Sequence, residues 1–260
     1  MPAITLDLWH TLMYLDPAAE EAYMDAQVEI ARRTLAESPR RPGAPDLTEA
    51  ELGRAFERVY AEAVAEAGLG HTVTPATQLE QAGRATGRDP STTQYLRELE
   101  SAVREAPFQR APGALELLSA LREDGYGVGV ISNTVGEPGR FLRPMLHALG
   151  FDRYVQSYVF SDEHPWTKPA PEIFHAALRD LGAQPEDAVH VGDGWSDIEG
   201  ARRARFRAGI LFTGLHSYGA RYQALFLPPG WNQPPAEYEV GRLEEVLRLV
   251  RRLLPSQPAR

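Results

Sequence analysis

Residues 113–133, GALELLSALREDGYGVGVISN, hold two different periods in succession. Residues 113–124 carry leucines at helical spacing and predict an amphipathic helix. Gly125 ends it, and YGVGVISN follows as an apolar, β-branched strand. The same alternation repeats downstream. Helices are predicted at about 139–149, 170–181 and 196–204, and a closing helix at 241–254. Strands are predicted at about 154–160, 187–192 (DAVHVG) and 208–213 (AGILFT). Strands alternating with helices give a parallel α/β sheet, and strands covered on both faces read as unbroken apolar runs.

Upstream, residues 3–8 (AITLDL) predict a short buried strand that ends at an acid. It is separated from the other strands by a long stretch, 17–105, that reads as helix and loop only. Helices are expected at 17–36, 47–67, about 74–86 and about 91–105, with SPRRPGAPD as a proline loop between the first two. Thr48 and Glu51 are spaced as a capping box. A helical block is therefore inserted into an α/β domain. Residues 215–238, rich in proline, glycine and aromatics, show no clear period and are expected to form a long loop.

The chain has 260 residues, enough for a core plus a smaller second domain. Hydrophobic residues make up 43% and charged residues 24%, ordinary usage for a folded chain. A net charge of -9 argues against a general nucleic-acid binder and against docking on an anionic membrane. There is no cysteine, which excludes disulfides, thiolate metal sites and a thiol nucleophile. No apolar stretch approaches the ~20 residues of a membrane helix. No basic residue precedes the first apolar run, so a signal peptide is not expected and the predicted location is the cytoplasm.

Ligands of open α/β sheets bind at the carboxyl ends of the strands. Four polar groups fall at that edge. They are Asp7 with Thr11, Ser132 with Asn133, Lys168 in the loop before a helix, and Asp193 with Asp197 in GDGWSD. Each has a plain structural explanation as a turn or cap residue. Together they bring three carboxylates and one ammonium into one crevice. Lys168 is also the lone lysine among 27 basic residues, the other 26 being arginine. Lysine differs from arginine as a compact point charge on a flexible stem. Three carboxylates without a histidine partner suit a hard cation such as Mg²⁺. With Lys168, Ser132 and backbone N–H groups, such a crevice fits a phosphoryl group. A carboxylate held against that phosphorus is a candidate nucleophile.

Other motifs fail. Gly192-Asp193-Gly194 begins like a dinucleotide fingerprint, but Asp197 occupies the third glycine position. There is no Walker loop, no GxSxG elbow and no HExxH. Seven histidines, among them His10, His71, His164, His190 and His216, show no metal-ligand spacing. His190, inside an apolar strand, reads as a core residue with its polar atoms satisfied.

These residues resemble the four motifs of the haloacid dehalogenase-like hydrolase superfamily, in order and over most of the chain. DLWHTL is similar to the first motif, VISN to the second, TKPAPEIF to the third and GDGWSD to the fourth. The resemblance implies a Rossmann-like α/β core of residues 1–13 and 108–260, with an α-helical cap domain at 14–107. It implies a nucleophile at Asp7 assisted by Thr11, and phosphoryl oxygens held by Ser132 and Asn133. Lys168 stabilises the transferring group, and Mg²⁺ is held by Asp7, the Trp9 carbonyl, Asp193 and Asp197. The implied substrate is a small phosphorylated molecule, acted on by a monomer or homodimer without nucleic acid or membrane.

One position departs from the phosphatases of this family, which carry an acid–base Asp two residues after the nucleophile. Here that residue is Trp9, whose indole cannot exchange a proton at neutral pH. Losing a general acid–base costs ~10²–10⁴ in rate. His10 is expected to point away from Asp7 by strand alternation. The departure leaves three readings: a Mg²⁺-dependent phosphohydrolase, a 2-haloacid dehalogenase with Asp7 attacking carbon, and a non-catalytic binder. Retention of Asp193 and Asp197 argues for metal. An arginine for a carboxylate in an apolar pocket would favour dehalogenation, and a crevice plugged by Trp9 or Trp195 would favour binding. Helix arginines Arg32, Arg33, Arg84 and Arg88 are candidates to meet an anionic substrate, against the plainer reading of surface charges paired with nearby glutamates.

Overall fold

The computed structural model describes residues 1–226 and 236–255. The chain opens with strand β1 (Ala3–Leu6), fully buried, and then a two-residue strand β2 (Met13–Tyr14). Four helices follow: α1 (Pro17–Glu37), α2 (Glu49–Gly68), α3 (Pro75–Thr86) and α4 (Thr92–Glu105). Strand β3 (Gln109–Arg110) then pairs antiparallel with β2, Met13 opposite Arg110, so the two connections to the helical block run side by side.

Beyond this point helix and strand alternate: α5 (Ala114–Glu123), β4 (Gly127–Ser132), α6 (Gly139–Ala148), β5 (Ser157–Phe160) and α7 (Pro171–Leu181). They continue as β6 (Ala188–Gly192), α8 (Trp195–Arg203), β7 (Ala208–Phe212), α9 (Ala220–Phe226), β8 (Tyr238–Val240) and α10 (Leu243–Leu253). Six strands form one parallel sheet in the order β5-β4-β1-β6-β7-β8. β1 is central, with Leu6 opposite both Val130 and Val191. From β1 the chain winds outward to β4 and β5, then crosses back to β6 and outward again. The switch point is therefore the carboxyl end of β1, where an open α/β sheet leaves its crevice.

Local chemistry accounts for the element ends. Asp16 caps α1 by accepting from the Ala19 N–H at 3.0 Å, with Pro17 in the first turn. The expected capping box is present: Thr48 Oγ1 accepts from the Glu51 N–H at 3.3 Å and Glu51 Oε2 from the Thr48 N–H at 2.8 Å. Each such cap contributes about 1 kcal/mol.

Two expectations need correction. The first strand stops at Leu6 rather than residue 8, because the chain turns there. The stretch 215–238 is not one long loop. It holds α9, packed against α1 and α2, and the edge strand β8, parallel to β7; its residues 227–235 lie outside the described residues. No helix among the described residues is long and apolar enough to cross a membrane.

Candidate active site

Asp7 is the first residue beyond β1, and its N–H still donates to the Val191 carbonyl of β6 at 2.8 Å. Its side chain is thereby fixed at the switch point. Lys168, buried in the loop before α7, reaches the same place. Its ammonium donates to Asp7 Oδ1, to Asp197 Oδ1 at 2.7 Å and to the Ile131 carbonyl at 3.0 Å. All three donors of the ammonium are used. Asn133 fixes the lysine's backbone: its Nδ2 donates to the Lys168 carbonyl at 3.0 Å and its Oδ1 accepts from the Lys168 N–H at 2.8 Å.

Asp197 sits in the first turn of α8. Its Oδ2 accepts from the Gly194 N–H at 3.1 Å, and its Oδ1 faces His190 Nε2 at 2.9 Å. The carboxylate is an acceptor only, so His190 donates through Nε2 and its Nδ1 accepts from Thr5 Oγ1 at 2.8 Å. A Cβ on Gly192 would lie 2.2 Å from the Asp197 carboxyl carbon, so only glycine lets this side chain fold back over the strand end. Asp193, next along, accepts from the Tyr218 hydroxyl at 3.0 Å. One oxygen from each of Asp7, Asp193 and Asp197 lies within 4.8 Å of the others.

Burial pushes the Asp7 and Asp193 carboxyls up, Lys168 only partly offsetting it at Asp7. Burial also acts on Asp197, but Lys168 and His190 outweigh it and hold that carboxyl at about 2. Burial lowers His190, with Asp197 opposing it. The site therefore gathers three carboxylates around one ammonium, an excess of negative charge on hard oxygen donors. That donor set fits Mg²⁺.

A cavity of about 230 Å³ lies between this cluster and the helical block, lined by Asp7, Trp9, Asn133, Lys168, Asp193 and Asp197 on the sheet side. Across from them stand Glu20, Tyr23 and Gln27 of α1 and Tyr60 of α2. Thr11 and Ser132 are fully buried, do not line it, and keep hydroxyl oxygens without partners. Asn133 holds the lysine loop with the very atoms expected to hold phosphoryl oxygens. Asp197 does cap its helix, as its plain explanation required, and binds Lys168 as well.

Trp9 does not plug the crevice. Its ring stacks on Tyr23 at 6.3 Å and meets Phe108 edge-on at 5.4 Å, and its Nε1 donates to Glu137 Oε1 at 3.1 Å. Glu137, a buried carboxyl on the cavity wall in VGEPG, is not among the residues singled out from the sequence. Burial raises it to about 7, against hydrogen bonds from Gln27, Tyr23 and Trp9. His190 is the second residue missed: it is satisfied, as expected, but one of its partners is Asp197. A histidine in an apolar strand seven residues before an aspartate was its signal.

His10 does not follow strand alternation, because the strand has already ended. It sits at φ 52°, its Nε2 2.8 Å from Glu20 Oε1 outside hydrogen-bond geometry, packed edge-on against Tyr218 and Tyr222. The helix arginines stay away from the cavity. Arg32 pairs with Glu29 and Glu49, Arg33 with Glu98 and Arg84 with Glu80, while Arg88 is buried.

The fold and crevice place the chain among parallel α/β enzymes that work at the carboxyl ends of their strands. The sequence pattern of the haloacid dehalogenase-like hydrolases matches residues 1–205, and the chain belongs to that hydrolase family. It is 29% identical over 260 residues to the glyceraldehyde 3-phosphate phosphatase of Methanopyrus kandleri, covering 96% of this chain and 97% of that one. It is 32% identical over 105 residues to phosphoglycolate phosphatase 1 of Pseudomonas aeruginosa, a match spanning 40% of this chain and only 38% of that relative. In structure it resembles an HAD phosphatase from Thermococcus onnurineus, with a TM-score of 0.62, 20% identity and full coverage of both chains. At that identity the likeness speaks for the fold.

Proposed function

We propose that this chain is a Mg²⁺-dependent phosphatase of small phosphorylated metabolites that works through an aspartyl-phosphate at Asp7. The observation that carries the reading is the convergence of Asp7, Asp193 and Asp197 on one point, with Lys168 bridging two of them. The phosphatase names of the relatives support it. Residues 14–107 act as the cap over a core of 1–13 and 108–260.

Asp7, the Trp9 carbonyl, Asp193 and Asp197 would hold Mg²⁺, which when bound neutralises charge on the phosphoryl oxygens. Lys168 occupies Asp7 Oδ1, so Oδ2 is the attacking oxygen. It forms a bond to phosphorus as the ester oxygen leaves with the bonding pair. Trp9 has no proton to give, so the leaving oxygen takes one from water. Water then attacks the aspartyl-phosphate, restoring the carboxylate and releasing phosphate. Lys168 stabilises Asp7 and the charge on the phosphoryl group throughout. Asn133 keeps Lys168 in place.

The dehalogenase alternative rests on the aromatic residue at position 9. Against it, no arginine lines the cavity among the described residues. The test is phosphate release from an aryl phosphate with and without Mg²⁺, with Asp7→Asn as the blank. Mg²⁺-dependent release lost in the variant is expected. Halide release from 2-haloacids without phosphate release would overturn the reading.

A further inference from the structure

The cavity lined by Asp7 carries a further carboxylate that the reaction above does not use. Glu137 is 5% exposed, and among the described residues no cation pairs with it. Its neighbours are neutral donors: the Trp9 indole at 3.1 Å, and the Tyr23 hydroxyl and Gln27 amide both at 3.4 Å. A carboxylate offers about four acceptor positions. Two of these three contacts lie at the outer limit of a hydrogen bond, so acceptor capacity remains. Gly136 makes the placement possible. A Cβ there would come within 2.8 Å of Gln27 Oε1 and 3.1 Å of the Tyr60 hydroxyl. Glycine lets the loop press against α1 and α2, which sets Glu137 at the cavity wall.

As a structural acceptor alone, Glu137 sets a buried charge among neutral donors, a costly arrangement unless a further donor meets it. The rest of the wall has the same character. Glu20 also faces the cavity, and among the described lining residues Lys168 is the one cation, already committed to Asp7 and Asp197. Nothing on this wall would neutralise a second anionic group on a substrate. The indole of Trp9, two residues from Asp7, donates to Glu137, and both carboxyls line the same cavity.

We propose that Glu137 is the specificity-determining residue: it accepts a hydrogen bond from a hydroxyl on the leaving-group half of the substrate. The preferred substrates are then hydroxylated phosphate monoesters without a carboxylate. This rests on the phosphatase reading of the site and narrows it. The relatives carry names of both kinds, a hydroxyaldehyde phosphate and a carboxylated one. The wall favours the first.

The test compares kcat/KM for three primary alkyl esters of similar length: 2-hydroxyethyl phosphate, propyl phosphate and phosphoglycolate. The wild-type protein should prefer the hydroxylated ester to the propyl ester by at least about tenfold. Phosphoglycolate should be poorer still, by about 100-fold, because its carboxylate meets Glu137 unpaired. In Glu137→Gln the ratio of phosphoglycolate to 2-hydroxyethyl phosphate should rise at least about tenfold. A ratio within one preparation cancels the fraction of active protein, so partial misfolding of the variant cannot imitate the effect. Equal rates for the three esters in the wild type, or a ratio unmoved in Glu137→Gln, overturns the specificity role and leaves the phosphatase standing. Absence of phosphate release from every ester, with the aryl phosphate also inert, overturns both.

Discussion

The two walls of the cavity are held differently. On the sheet side, Asp7 is fixed by the Val191 carbonyl of β6 and Lys168 by the Ile131 carbonyl of β4, and Asp197 is gripped by Lys168, His190 and Gly194. Facing α1, Glu137 accepts from Trp9 at 3.1 Å and from Tyr23 and Gln27 at 3.4 Å, and among the described residues no cation pairs with it. The first arrangement is rigid and locally compensated, as a reaction centre needs. The second sets a buried acceptor with neutral partners on the cavity lining, as recognition of a variable group needs.

Five substitutions, at four positions, would break or sharpen that contrast. Asp7→Asn removes the proposed nucleophile and should cost at least about 10⁴ in kcat while the fold stands, measured as aryl phosphate turnover beside thermal unfolding. Lys168→Met leaves Asp7 and Asp197 facing each other without their ammonium. Stability at neutral pH should fall by about 3–5 kcal/mol in denaturant unfolding. Lys168→Arg should not restore turnover, because a planar guanidinium cannot replace a point charge donating in three directions.

Glu137→Gln should act in the opposite sense on stability. The carboxyl stands at about 7 in the folded chain against an ordinary 4.5. Between those values the folded chain holds a proton that the unfolded chain has released, so wild-type stability falls as pH rises through this window and stays low above it. The variant should therefore be the more stable at pH 8 by roughly 2–3 kcal/mol, with the gap closing below pH 4.5. A gap independent of pH would mean that the buried carboxylate carries no such cost. The smallest effect is expected at Tyr218→Phe, which removes the hydroxyl bonded to Asp193. Half-activation by Mg²⁺ should move to about tenfold higher concentration, at similar maximal rate.

The sheet wall was legible in the sequence and the helix wall was not. Parallel strands buried on both faces leave continuous apolar runs, and each polar residue at the end of such a run stands out: Asp7, Ser132, Asp193. Lys168 stood out as a single lysine. The surroundings of Glu137 bring together residues distant in sequence, Trp9 and Glu137 from core loops with Tyr23 and Gln27 of α1, none of which is unusual in its own segment. Segment 215–226 was misread for a related reason. Seven residues of α9, ARYQALF, make too few turns to show a period, and the helix is held from outside. Glu20 accepts from the Gly219 N–H at 2.6 Å, Glu21 from the Arg221 N–H at 2.6 Å, and Asp25 pairs with the Arg221 side chain. Such tertiary support leaves no local signal. Likewise β8 is a three-residue edge strand with a polar centre, too short for alternation to register.

The central claim is that Asp7 carries the phosphoryl group. Its most direct test is a single turnover of an aryl phosphate with Mg²⁺, quenched in acid within the reaction time and followed by peptide mass spectrometry. The account predicts a phosphoryl adduct on the peptide that holds Asp7, formed and lost at rates compatible with turnover and absent from Asp7→Asn. Phosphate release with Asp7 unmodified at every time, together with turnover retained in Asp7→Asn, would contradict it.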